Sequence, residues 1–130
     1  MESDPTYTVE EARRLLPQVR ATLLQLAVQR QRADESHAEL HRRLRDGEHG
    51  ADPDDESALE AAATEQGAQV RALLDHLESL GVVVRDLDEG LVDIPTVRDG
   101  EPAWLCWRLS DPELAWWHTT REGFTSRRPL

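Results

Sequence analysis

The sequence predicts an α+β protein: a long antiparallel helical hairpin with a small three- to four-stranded antiparallel sheet packed at its open end. Three observations carry this expectation. Apolar residues recur at alternating three- and four-residue spacing from Leu16 to Leu44 and again from Leu59 to Leu80, as on the buried stripes of two helices. A Gly-, Pro- and Asp-rich stretch, Asp46 to Glu56, separates the two stripes and reads as an exposed connection. At Gly81 the pattern changes to short β-branched and aromatic runs cut by turn residues.

The first helix starts at Thr8-Val9-Glu10-Glu11, a capping box in which Thr8 and Glu11 satisfy each other's backbone N–H groups. Its seam runs Leu16, Val19, Leu23, Leu26, Arg30, Ala33, His37, Leu40 and Leu44, a heptad pattern of coiled-coil type. Pro17 costs roughly 3 kcal/mol in a helix interior unless the helix bends or restarts there, so a kink is expected near Arg13 to Pro17. The second seam is Leu59, Ala63, Gln66, Val70, Leu73, Leu77 and Leu80, ended by Gly81 as the residue just past the helix. If Arg45 faces Ser57, facing positions sum to about 102, which places His37 beside Glu65 and Gln66 and Arg30 near Ala72 as a register-setting polar layer and leaves residues 8–20 beyond the end of the second helix. A side stripe of Leu24, Ala27, Val28 and Leu74 is left over, and a homodimer would cover it.

Strands are expected at Val82–Arg85, Leu91–Ile94 (stopped by Pro95), Ala103–Leu109 and Leu114–His118, with turns at Asp99-Gly100 and Asp111-Pro112. The whole is one domain of residues 1–130: hairpin 8–80, sheet 82–118 and tail 119–130.

Composition narrows the function classes. The 130 residues carry 26 acidic side chains against 15 arginines and no lysine, a net charge of −11. That field opposes general nucleic-acid binding and anionic membrane surfaces. One cysteine makes no internal disulfide, no apolar run approaches the roughly 20 residues that cross a bilayer, and the acidic start lacks the pattern of a secretory signal, so the cytoplasm is the expected location.

All four tryptophans and the only cysteine lie between Gly90 and His118. Alternation puts Leu105, Trp107 and Leu109 on one side of their strand, with Val92 and Ile94 beside them, facing the helices. The opposite face then gathers Asp93, Trp104, Cys106, Arg108, Trp116 and His118, a candidate ligand-binding surface. Trp107 and Trp117 are expected in the core, while Trp104 and Trp116 remain for ligand contact. Arg127, with Arg121 and Arg128, is placed to hold an anionic group.

Two classes of function follow. One is a cytoplasmic binding or interaction protein that recognises a protein partner or small molecule on the sheet face. The other is a metal- or acid/base-dependent enzyme using Asp93, Cys106, Asp111 and His118. Carboxylate, thiolate and imidazole are standard zinc or iron ligands, so Asp93, Cys106 and His118 are the candidate metal set. The plainer alternative pairs Asp93 with Arg108, buries Cys106 as a small hydrophobe and hydrogen-bonds His118 to a strand-end carbonyl. His37 and His41 lie one helical turn apart, but the intervening Glu39 is displaced from its place in the zinc-protease motif. The stretch from Asp46 lacks the glycine and glutamate of a calcium loop.

The run Gly90-Leu91-Val92-Asp93 with Pro95, Leu105-Cys106-Trp107, Asp111-Pro112, Trp117-His118, Gly123-Phe124 and Arg127-x-Pro129-Leu130 resembles a bacterial family catalogued as domain of unknown function 2203. Tyr7-Thr8-x-Glu10-Glu11-Ala12 followed by Leu15-Leu16-Pro17 also resembles it, so the similarity covers nearly the whole chain. The resemblance implies the same outline and candidate positions and supplies no chemistry. One departure is that Ser110-Asp111 stands where the family usually has Gly-Glu, which shortens a carboxylate.

Overall fold

The computed structural model describes residues 5–45 and 53–130. Helices α1 (Val9–Arg45) and α2 (Pro53–Ser79) precede strands β1 (Val83–Asp86), β2 (Leu91–Arg98), β3 (Glu101–Arg108), β4 (Trp116–Thr119) and β5 (Arg128–Pro129), with a 3-10 turn at Phe124–Ser126. All strand pairs are antiparallel, in the order β1-β2-β3-β4-β5. The protein is therefore α+β, with five strands among the described residues rather than three or four. The additional strand comes from the expected tail, where Leu130 N–H donates to Ala115 O at 2.8 Å. Two residues carry no readable period, so only pairing reveals such a strand.

The described residues form two compact units, one of the chain up to Leu24 with Asp75–Leu130, the other Gln25–Leu74. Most of the connection read as a loop lies outside the described residues.

In the first unit, α1 opens on the expected box: Thr8 N–H donates to Glu11 Oε1 at 3.0 Å, and Glu11 N–H donates to Thr8 Oγ1 at 3.1 Å. The helix does not restart at Pro17, which lies inside it. α2 closes with Val82 N–H on Leu77 O at 3.0 Å and Gly81 N–H on Glu78 O at 2.9 Å, the two bonds of a Schellman cap. Gly81 sits at φ 78°, a left-handed conformation that a side chain would strain. α2 also flanks α1 further than the sum rule places it, since Gln18 Nε2 lies 2.8 Å from His76 Nε2.

In the second unit the expected register holds, with Ser36 Oγ donating to Gln66 Oε1 at 2.8 Å. Ala33 and Ala63 are buried there. The seam passes through Ser36 rather than His37, which is exposed. Val28 in this unit and Leu24 in the first are each about half exposed, as the side stripe predicts.

β2 continues through Pro95 instead of stopping there. β1 pairing reaches only Asp93, and the Pro95 carbonyl accepts from Tyr7 N–H at 2.8 Å. The missing proline N–H therefore points where no strand asks for it. Val92, Ile94, Leu105 and Trp107 are fully buried on one face of the sheet. Arg20 of α1 stacks 5.0 Å from the Trp107 ring, which identifies that face as the helix side. Among the described residues Trp107 Nε1 has no hydrogen-bond partner, an uncompensated burial.

Candidate functional site

Register places the candidate residues on the other face. Asp93 of β2 lies opposite Cys106 of β3, Cys106 opposite Trp116 of β4, and Trp104 opposite His118. Directly opposed residues in antiparallel strands project to the same side, so three strands deliver an acid, a thiol and an imidazole together. The ligand atoms of Asp93, Cys106 and His118 all lie within 4.8 Å of one another. This is the cluster among the described residues that could hold a metal ion. The three are 2%, 1% and 2% exposed, in that order.

Hydrogen bonding orients the set. His118 Nδ1 lies 2.8 Å from Thr119 O, and Nε2 lies 2.9 Å from Asp93 Oδ1. A carbonyl only accepts, so Nδ1 carries a proton and donates it. Nε2 and Oδ1 then need a second proton, or a cation, between them. Arg85 Nε donates to the other carboxylate oxygen, Oδ2, at 2.9 Å. Both Asp93 oxygens and both His118 nitrogens are thus engaged. Burial pushes the Cys106 thiol up to about 12 from 9.0, the Asp93 carboxylate pushes it further in the same direction, and Arg127 opposes both. Without a metal, Cys106 is therefore a neutral thiol.

The tail covers this face without sealing it. A cleft of about 340 Å³ is lined by the three residues with Arg85 and Leu91 on the strand side, and by Thr120, Glu122, Gly123 and Phe124 on the tail side. Glu122 is held by Thr119 Oγ1 at 3.0 Å and Arg128 Nη2 at 3.2 Å. The Thr119 hydrogen bond is the main reason its carboxyl lies below the usual range.

The remaining expected site residues do not line the cleft. Arg127 is not a free anion holder, because its Nη1 donates to Asp111 Oδ2 at 3.0 Å, and it stacks on Trp116 at 4.7 Å and Phe124 at 4.3 Å. Asp111 is buried and also takes the Arg108 backbone N–H at 3.3 Å, so it closes the turn after β3 and is not part of the Asp93, Cys106 and His118 cluster. Arg108 does not pair with Asp93. Its Nε lies 3.5 Å from Asp111 Oδ1 and its guanidinium 5.1 Å from the Phe124 ring. Trp104 lies opposite His118 in the register, outside the cleft lining, and Arg85 is stacked 5.2 Å from its ring. Trp117 is half-buried rather than core, with Arg98 and Arg128 over its ring at 4.5 and 5.4 Å. Arg121 lines a separate groove beside Trp117. His37 and His41 are exposed.

Arg85 is the residue that sequence reasoning missed. The register shifts between Val84 and Asp86, so Arg85 lies at an irregularity where alternation cannot assign its face.

The family model described as "Uncharacterized conserved protein (DUF2203)" matches residues 5–130. The chain belongs to this family. No curated protein and no solved structure matches it. The matched span of this DUF2203 chain contains Asp93, Cys106 and His118 together with Arg85 and the tail segment that covers them. In this DUF2203 chain the shorter acid at Asp111 still reaches both Arg127 and the Arg108 N–H. No described helix is long and apolar enough to cross a membrane.

Proposed function

We propose that this protein binds a divalent transition metal, zinc first, through Asp93, Cys106 and His118, and that the open coordination position faces a small-molecule cleft. One observation carries the reading: His118 Nε2 and Asp93 Oδ1 face each other at 2.9 Å while Nδ1 is occupied by a carbonyl. The space between them calls for positive charge. A metal-ligating histidine is commonly oriented in this way, by a carbonyl on its other ring nitrogen.

Charge balance supports the exchange. One divalent ion in place of the proton between His118 and Asp93 and the proton of the Cys106 thiol leaves the net charge of the site unchanged. Bond lengths of about 2.0–2.1 Å to nitrogen and oxygen and about 2.3 Å to sulfur require ligand atoms roughly 3.3–3.7 Å apart in a tetrahedral shell. To reach this range the His118–Asp93 separation of 2.9 Å opens by about 0.4 Å, and the widest separation in the set, at most 4.8 Å, closes by about 1 Å. Three protein ligands with one open position is the arrangement that lets zinc bind and polarise a water or substrate.

The acid/base alternative has less support. His118 exchanges no proton with a substrate without first breaking its bond to Asp93 or to Thr119. The test is zinc and iron content of untagged protein, followed by titration of the metal-free chain with cobalt(II). We expect one metal per chain, a thiolate-to-cobalt absorption band and loss of both in Cys106→Ala and His118→Ala. A chain that stays metal-free under excess zinc, or a Cys106→Ala variant that binds as tightly as the parent, sinks the reading.

A further inference from the structure

We infer that the cleft takes a small monoanionic ligand whose carboxylate or phosphate oxygen sits between the open metal position and the guanidinium of Arg85; this rests on the metal reading above. Arg85 is held at two points. Its Nε is bonded to Asp93 Oδ2 and its plane is stacked on Trp104. Its terminal nitrogens make no hydrogen bond within the described residues, and its side chain is 45% exposed in the cleft wall. A planar fork fixed in this way, with donors to spare, is suited to an oxyanion.

Charge points to the same ligand. With zinc bound, the ion contributes two positive charges and Arg85 one, against one negative each from Asp93 and Cys106, so the site is left one negative charge short. Glu122 does not supply it, because its carboxylate is balanced by Arg128. The ligand supplies it instead. The other walls are Leu91 and Phe124, which offer an apolar surface to a compact body behind the anionic head. A cleft of about 340 Å³ suits a ligand of about the size of benzoate.

Calorimetric titration of the full-length, zinc-loaded chain with sodium benzoate and with inorganic phosphate tests this, with zinc content measured on every sample. We expect saturable binding of at least one anion; which one saturates tells a carboxylate from a phosphate ligand. Arg85→Gln should weaken it about tenfold or more, the effect of losing charge-assisted hydrogen bonds. Arg85→Lys, which keeps the charge and loses the fork, should fall between and serves if Arg85→Gln does not fold. A chain that holds zinc but takes neither anion overturns this inference alone, as do Arg85 variants that bind like the parent. A chain that holds no zinc overturns the metal reading and this inference with it.

Discussion

Cys106 and Trp107 are adjacent in β3 and project to opposite faces, the thiol toward the cleft and the indole toward α1. Their expected behaviour differs accordingly. The thiol pKa is raised from 9.0 to about 12, so in the metal-free protein Cys106 contributes stability that is complete below pH 9 and is lost as pH rises toward 12. Denaturant melts across that window should show the loss, and Cys106→Ala should flatten it. The same burial predicts that a thiol reagent modifies native Cys106 far more slowly than the unfolded chain, measured by colour yield with time. Trp107→Ala should cost about 3–5 kcal/mol, whereas Trp107→Phe should cost much less, because the indole N–H it removes has no partner. At Asp93, change to Asn leaves His118 and Arg85 without their shared carboxylate, with an expected loss of about 3 kcal/mol in urea unfolding.

Which residues belong to the site was partly legible at this scale. Alternation alone brought Asp93, Cys106 and His118 to one face. It could not say that Arg108 and Arg127 meet at Asp111 and Phe124, or that Arg127 stacks on Trp116, because Phe124 and Arg127 return from the tail.

The element ends were the easiest to read, because their chemistry is local. The Thr8–Glu11 box and the Gly81 cap each lie within six residues and appear as the sequence predicts. Thr8→Ala should destabilise the protein by about 1 kcal/mol, read as a lower melting temperature. Hydrogen bonding to Thr8 lowers the Glu11 pKa below 4.5, so the contribution of the box is present above that pH and is lost as pH falls through the lowered value. Helical content followed by circular dichroism during acid titration should fall with a shallower profile in Glu11→Gln. Gly90 is a second such point, at φ 63° with Leu109 packed against it. A Cβ there would lie 2.5 Å from Leu109 Cγ, so Gly90→Ala should destabilise the β1–β2 turn on both counts. The strand ends were less legible. Pro95 stops a strand only where its absent N–H is wanted, and which neighbour lies on that side is a question of pairing.

At the scale of the whole molecule, metal and fold should be coupled. The three proposed ligands lie on three separate strands and come together only when the sheet is formed. A metal that binds the folded chain alone therefore stabilises it, by about 2.7 kcal/mol when free zinc is roughly 100 times Kd. Thermal unfolding should shift upward by several degrees on adding zinc and return with a chelator, while His118→Ala should show no shift. A zinc-independent melting curve in the parent chain would count against the coupling.

The sequence by itself determined the α+β class, the buried stripe from Leu16 to Leu26, the caps at Thr8 and Gly81 and the sharing of one face by Asp93, Cys106 and His118. Each of these follows from periodicity or from contacts a few residues long. Only the tertiary structure decided that Arg85 holds Asp93, that Thr119 orients His118, and that the tail becomes a fifth strand and the outer wall of a cleft. Those outcomes depend on a register shift in β1 and on the return of a distant segment across the sheet. Neither is encoded in the spacing of residues along a single strand.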